Sequence, residues 1–320
     1  MKIVGLDQHC VNPGDLSWEE IETLGEYTVY ERTNSVSDVV ERSKDAEAIL
    51  VNKVEITNDV MSQLPKLKYI GEMATGYNNI DIEAAKRRGI VVTNVPAYST
   101  DSVAQLVFAH ILNISNSVDH YATETRNGEW SRQPDFCYWD TPIIELSGKT
   151  IGIVGLGNIG MKVAMIAHSF GMDVSAVTSK ETHNLPTWIR KSTLTGLLSS
   201  SYIVTLHCPL TTDTRQMINS KTLQLMHPNS ILVNTGRGGL VDEDAVAAAL
   251  QSKELGAYCV DVLNEEPPRS DNPLFKCDRA YITPHVAWAS RDARSRLIHI
   301  AAGNIKAFID GKPVNVVNGL

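Results

Sequence analysis

Ile151-Gly152-Ile153-Val154-Gly155-Leu156-Gly157-Asn158-Ile159-Gly160 is the stretch from which the rest of the chain is read. Apolar, β-branched residues run into Gly-x-Gly-x-x-Gly. Apolar residues then recur at helical spacing at Val163, Ala164, Ile166, Ala167 and Phe170. The pattern is strand, tight turn, helix. In such a unit Gly155 permits the turn, Gly157 lets backbone approach a pyrophosphate, and Gly160 lets helix and strand pack closely. The N–H groups that open the helix, on Asn158, Ile159 and Gly160, attract phosphate charge. A glycine turn alone can serve packing only. The buried-type strand before it and the amphipathic helix after it point to dinucleotide binding.

With 320 residues the chain can build two cored domains. Hydrophobic residues at 43% and charged residues at 21% match an ordinary soluble protein. The formal net charge of −8 leaves no basic excess for nucleic acid or an anionic membrane surface. Cys10, Cys137, Cys208, Cys259 and Cys277 stand far apart; they form no metal-type cluster, and an odd number suits a disulfide framework poorly. The opening Met1-Lys2-Ile3-Val4-Gly5-Leu6-Asp7 lacks the apolar run of a secretory signal, and no stretch approaches the ~20 apolar residues of a membrane span. The expected location is the cytoplasm.

Strands are predicted at 2–6, 27–30, 48–51, 69–73 and 90–93. Helices are predicted between them at 17–24, 37–42, 57–64 and 82–88, the first with Ser17 as N-cap and Glu20 in the capping-box position. This alternation implies a parallel sheet with helices on both faces, complete before the glycine motif is reached. After Pro96 an apolar-periodic run starts at Ser102 and continues towards Thr125, which predicts one long helix bridging two domains. Residues 126–139 are irregular and aromatic (Trp130, Phe136, Tyr138, Trp139), as in a loop lining a cleft, a dimer contact or a loop that merely packs. Beyond the glycine motif, strands are predicted at 174–178, 202–206, 230–234, 256–262 and 280–283, and helices at 242–250 and 291–309. The fold class is therefore α/β, two doubly wound parallel-sheet domains with a cleft between them.

Ligands of open parallel sheets bind outside the carboxyl ends of the strands. That rule selects Thr75 and Gly76, His207-Cys208-Pro209, Arg237, the segment from Asp261 to Glu266, and His285. Each has a plain reading: a surface ion pair for Arg237, a core-capping imidazole for His285, a solvated acid for Glu266, with Glu265 competing beside it. A histidine, a carboxylate and an arginine together at three strand ends beside a dinucleotide site favour chemistry.

These residues also carry a family resemblance over nearly the whole chain. Ala74-Thr75-Gly76-Tyr77-Asn78-Asn79-Ile80-Asp81, Val92-Thr93-Asn94-Val95-Pro96 leading into Ser102-Val103-Ala104-Gln105, the glycine motif, Asn234-Thr235-Gly236-Arg237-Gly238-Gly239, Asp261-Val262-Leu263-Asn264-Glu265-Glu266-Pro267 and Thr283-Pro284-His285-Val286-Ala287 follow in order. Together they resemble the D-2-hydroxyacid dehydrogenases, and within them the glycerate dehydrogenase or hydroxypyruvate reductase group. The resemblance implies a flavodoxin-like substrate domain of residues 1–98 plus 292–320 and a Rossmann domain of residues 99–291. It also implies a homodimer built largely through the cofactor domains.

The resemblance further implies reduction of a 2-keto acid, with Arg237, Glu266 and His285 catalytic. His285 would donate a proton to the carbonyl oxygen; Glu266, paired with the imidazole, would favour its charged form and fix its tautomer. Arg237 would hold the carboxylate with its planar fork, and backbone N–H groups near Thr75 and Gly76 would hold it from the other side. Trp139, with Cys137 and Tyr138, resembles the group's aromatic segment and suggests a small polar substrate, hydroxypyruvate or glyoxylate; a bulkier 2-keto acid stays open. Other readings of the same fold are a dinucleotide-sensing corepressor, for which the chain shows neither tail nor basic patch, and a formate or phosphite dehydrogenase, of which the His–Glu pair disfavours the formate enzyme.

Expected dinucleotide contacts run from Gly155, Gly157, Asn158, Ile159 and Gly160 through Thr178, Ser179 and Lys180. They continue through His207, Cys208, Pro209, Thr214, Thr235, Gly236 and Arg237 to Asp261, His285 and Ala287. Asp261 is expected to position the nicotinamide carboxamide. An NAD site of this type places an acid at the end of the second strand to accept from the ribose 2′-OH. Here Thr178 stands at that position, Asp173 lies at the wrong end of the strand, and Ser179 and Lys180 follow. Hydroxyls and a cation do not repel a 2′-phosphate, so NADP(H) is the favoured cofactor. NAD(H) stays open if Glu181 turns back to the ribose.

Overall fold

The structure, a computed structural model, describes residues 1–320. The chain divides into two compact units, Met1–Ser99 with Trp288–Leu320, and Thr100–Ala287. The first unit begins β1 (Lys2–Gly5), α1 (Glu19–Glu22), β2 (Glu26–Val29), α2 (Val36–Ser43), β3 (Ala48–Val51), α3 (Asn58–Ser62), β4 (Tyr69–Glu72), α4 (Ile82–Arg87), β5 (Val91–Thr93). The second runs α5 (Thr100–Asn116), α6 (Val118–Arg126), β6 (Thr150–Val154), α7 (Asn158–Ser169), β7 (Asp173–Val177), β8 (Ile189–Lys191), α8 (Leu194–Ser200), β9 (Ile203–Leu206). It continues α9 (Ser220–Leu223), β10 (Ile231–Asn234), α10 (Glu243–Gln251), β11 (Ala257–Val260) and β12 (Ala280–Ile282), after which α11 (Arg291–Ile309) completes the first unit.

The first unit holds a five-stranded parallel sheet in the order β2-β1-β3-β4-β5. Its central strand, Ala48-Ile49-Leu50-Val51, is buried on both faces, as its unbroken apolar run requires. Ile49, Val51 and Ile70 pack with Val39, Val60 and Ala84 of α2, α3 and α4; Leu50 and Tyr69 pack with Leu297, Ala301 and Ile305 of α11. Ser35, Thr57 and Asp81 cap α2, α3 and α4 with their side-chain oxygens. α1 departs from expectation. It is a single turn with Trp18 at the N-cap and no side-chain cap. The Ser17 hydroxyl instead accepts from the Glu19 N–H, a local turn that competes with capping.

The second unit holds a seven-stranded parallel sheet in the order β12-β11-β10-β9-β6-β7-β8. Strand order reverses between β6 and β9, the switch point at which doubly wound sheets bind ligands. The long helix expected from Ser102 to Thr125 is two helices, α5 and α6, broken at Ser117, whose φ is +48°. The cause is packing together with propensity. The buried stripe of α5 ends at Ile114 and Ser115, α6 buries nothing, and Asn113, Ser115, Asn116 and Ser117 are weak helix formers. β8 escaped prediction because only Ile189 of its three residues is buried; Arg190 and Lys191 mark it as a charged edge strand. No helix is long and apolar enough to cross a membrane.

Candidate active site

The glycine motif forms the turn that its residues dictate. Gly155 has φ +94°, and a Cβ there would fall 2.6 Å from the Cys208 nitrogen and 2.7 Å from the His207 carbonyl carbon. At Gly160 a Cβ would fall 2.1 Å from the Gly155 oxygen, so helix α7 can sit against the turn only without one. Gly157, the N-cap of α7, faces open space, and no side chain caps the helix. Its first N–H groups, from Asn158 to Gly160, are left for an external acceptor. The buried Thr235 hydroxyl at the end of β10 also lacks a partner. An uncapped helix N-terminus, a cradle that a Cβ would fill and an orphaned hydroxyl fit a phosphate-bearing dinucleotide.

Beside that turn lies the end of β7. Thr178 accepts from the Lys180 N–H at 3.2 Å, and the Lys191 ammonium of β8 donates to the Lys180 carbonyl at 2.7 Å. Lys191 was not selected from the sequence because β8 itself was not. His207 follows β9; burial pushes its imidazole down to about 4, and Nε2 pairs with the Thr205 hydroxyl at 2.8 Å. Burial also pushes the Cys208 thiol up. Thr214 is engaged within its own loop, donating to the Pro209 carbonyl at 2.7 Å.

The ends of β10, β11 and β12 bring the reactive groups together. His285 Nδ1 lies 2.5 Å from Glu266 Oε2, and Glu266 Oε1 accepts from the Leu263 N–H at 2.9 Å. The two side chains are 30% and 32% exposed, open to a small ligand yet partly shielded. His285 has φ +52°, a backbone conformation that costs a non-glycine residue about 1–3 kcal/mol and persists only where its surroundings impose it. Asp261 imposes it. This carboxylate is 2% exposed and accepts from the Thr283 hydroxyl (2.6 Å) and from the N–H groups of Val286 (2.9 Å) and Ala287 (2.8 Å). Thr283 also pairs with His110 Nε2 at 3.2 Å; burial pushes the His110 imidazole down against the pull of Asp261.

Arg237 is exposed at the end of β10, its guanidinium donating to the Gly236 carbonyl at 2.8 Å. Buried Asn234 shapes this loop, donating to the Arg237 carbonyl and accepting from the Gly236 N–H. Gly238 then lies so close to the Leu263–Asn264 backbone that a Cβ would fall 2.1 Å from the Leu263 carbonyl carbon, which locks the arginine and acid segments together. Sequence reasoning missed Asn234, Thr283 and His110 as supports; the available signals were a polar residue ending the apolar strand β10, one just past β12, and a histidine on the buried stripe of α5. Ser179 is exposed beside Thr178, and Ala287 is buried. Trp139, 67% exposed, stands in an irregular segment rather than at a strand end. Thr75 and Gly76 lie in the first unit, after β4, where the Thr75 hydroxyl donates to the Val95 carbonyl at 2.9 Å.

The chain is matched over residues 108–287 by the family model described as D-isomer specific 2-hydroxyacid dehydrogenase, NAD binding domain. It is 41% identical over 321 residues to a hydroxypyruvate reductase of Blautia hydrogenotrophica, covering 99% of this chain and 100% of that one. It is 38% identical over 318 residues to a glycerate dehydrogenase of Methylorubrum extorquens, covering 99% and 98%. Among solved structures, an acyclic imino acid reductase in complex with NADPH and D-arginine aligns with a TM-score of 0.87 at 30% identity, covering 99% and 100%.

Proposed function

The chain belongs to the D-isomer specific 2-hydroxyacid dehydrogenases, oxidoreductases acting on CH–OH donors with a nicotinamide dinucleotide, and we propose that its substrate is a small 2-keto acid, hydroxypyruvate or glyoxylate. The observation that carries the chemistry is His285, held at positive φ and paired with Glu266 at 2.5 Å. Glu266 occupies Nδ1 and leaves Nε2 to face the substrate. A dinucleotide whose phosphates are held by the Gly155–Gly160 turn and the α7 N-terminus would supply the hydride that the carbonyl carbon accepts. His285 passes a proton from Nε2 to the carbonyl oxygen as negative charge develops there. Glu266 keeps the ring in the orientation and tautomer this transfer needs. Arg237 swings from the Gly236 carbonyl to the substrate carboxylate, for which its fork is a better match. In the first unit, backbone N–H groups around Thr75 and Gly76 are offered as donors to a substrate carboxylate. Asp261 holds the His285 loop, and its remaining lone pair is left for the carboxamide.

The finer readings follow from the same residues. NADPH is preferred, because Thr178, Ser179 and Lys180, with Lys191 beside them, present hydroxyls and cations where an acid would repel a 2′-phosphate. Val118, Phe136, Trp139 and Ile143 are each 58–89% accessible, and a second copy of the chain would cover them in a homodimer. Five unpaired cysteines suit a reducing compartment, the cytoplasm. The test of the substrate is a panel of 2-keto acids compared by kcat/KM with each reduced cofactor. Hydroxypyruvate or glyoxylate with NADPH is expected to lead. A clear preference for phenylpyruvate would remove the small-substrate reading, and a strong preference for NADH would remove that of Thr178.

A further inference from the structure

Glu72 ends β4 in the first unit, opposite Val51 of β3, and is 1% exposed in an otherwise apolar layer. A carboxyl group there is costly unless it has a task. Its Oε2 accepts from Asn79 Nδ2 at 2.9 Å, while Oε1 has no partner. Asn79 closes the loop of residues 73–79, which begins at Glu72 and carries Thr75 and Gly76. The same Nδ2 donates to the Val54 carbonyl at 3.1 Å, and the Asn79 carbonyl accepts from the Ile56 N–H. Residues 52–54 are in turn pinned by Asp7, whose carboxylate accepts from the N–H groups of Asn52, Lys53 and Val54. One buried carboxyl group, Glu72, and one half-buried, Asp7, thus brace two adjacent loops at the ligand-facing end of this sheet.

We infer that Glu72 is a positioning residue: through Asn79 it holds the 73–79 loop, and with it Thr75 and Gly76, in the shape that receives the substrate carboxylate. This rests on the assignment of Thr75 and Gly76 made above. Burial pushes the Glu72 carboxyl up to about 9; the Asn79 hydrogen bond and Lys53 oppose the rise, and the Asp7 charge adds to it. Desolvation is the largest of these effects. Once charged, Glu72 is therefore driven towards water despite Asn79, and the loop loses its brace. Substrate binding weakens in the alkaline range while the reacting atoms in the second unit are untouched.

The experiment measures kcat and KM for D-glycerate oxidation at saturating oxidised cofactor from pH 7 to 10.5. It is paired with hydrogen exchange of peptides spanning residues 73–81, corrected for the intrinsic rate. In the parent, KM is expected to rise about fivefold or more through an inflection near pH 9, without a matching inflection in kcat, as loss of uniform binding requires. Glu72→Gln, which keeps an acceptor for Asn79 and cannot ionise, is expected to lose the inflection and keep the pH 7 KM within about twofold. Glu72→Val is expected to show raised KM and faster loop exchange already at pH 7. An alkaline KM rise that persists in Glu72→Gln, or a parental KM in Glu72→Val, overturns the role of Glu72. Loop exchange that follows Glu72 while KM does not also overturns the inference, and locates the failure in the assignment of Thr75 and Gly76.

Discussion

Replacing Glu266 with glutamine separates charge from shape at the centre of the site. The parent carboxylate makes two contacts, Oε2 to His285 Nδ1 at 2.5 Å and Oε1 to the Leu263 N–H at 2.9 Å. Glutamine keeps the volume and can still accept from Leu263, but it presents an uncharged group to the imidazole. A hydrogen bond to a charged partner contributes about 1.5–3 kcal/mol. Both side chains are about a third exposed, so solvent screening pulls the value towards the lower end of that range. At ~1.4 kcal/mol per tenfold, kcat for keto acid reduction is expected to fall about 10- to 30-fold. The assay is single-turnover reduction at saturating cofactor and keto acid, with the cofactor Kd measured in parallel and expected to stay within about twofold. Because Glu266 acts through His285, adding Glu266→Gln to His285→Ala is expected to cost nothing further. A kcat within about twofold of the parent, or losses that simply multiply in the double variant, would refute the pairing as functional.

Two other expectations concern how the site is supported. Gly238→Ala puts a methyl group 2.1 Å from the Leu263 carbonyl carbon and 2.4 Å from the Asn264 nitrogen, both backbone atoms that cannot move cheaply. It is expected to cost about 1–3 kcal/mol, lower Tm by ~2 °C or more and reduce kcat as the Arg237 and Glu266 segments separate. An unchanged Tm would show that the segments are not locked. His207 makes stability depend on pH. Burial pushes its imidazole to about 4 against the usual 6.5, so between these values the unfolded chain takes up a proton that the folded chain refuses. The contribution is fully present above pH 6.5 and is lost as pH falls through 4, on a slope of at most ~1.4 kcal/mol per pH unit. Denaturant unfolding at pH 7 and pH 5 is expected to show a smaller difference in His207→Gln than in the parent; equal differences would mean that His207 is not held neutral.

The fold was legible where one signal dominated. β3 is four consecutive buried apolar residues, and the sequence marks its limits to the residue. Gly155 and Gly160 could be assigned because no other residue fits a positive φ or a 2.1 Å approach to a carbonyl oxygen. Legibility failed where competing terms were close. Ser17 could cap or turn, and it turns; the run from Ser102 reads as helix on both sides of Ser117, and the chain broke there, where the buried stripe ends among weak helix formers. At the site, strand ends exposed His285, Glu266 and Arg237 as candidates, but not the supports that hold them. Asp261 could be selected, yet its bonds to the Thr283 hydroxyl and to the N–H groups of Val286 and Ala287 depend on a backbone path that no local pattern announces. Glu72 was invisible for a different reason. In sequence it is one acid at the end of a strand, and only burial shows that it is out of place.

The most direct test of the account is His285→Ala, assayed by single-turnover reduction of hydroxypyruvate with NADPH and by cofactor Kd on the same preparation. The expected result is a fall in the reduction rate of about 10²- to 10⁴-fold, the usual contribution of a positioned proton donor, with Kd essentially unchanged. Near-parental turnover, or a loss accounted for entirely by weakened cofactor binding, would contradict the placement of the chemistry at the His285–Glu266 pair.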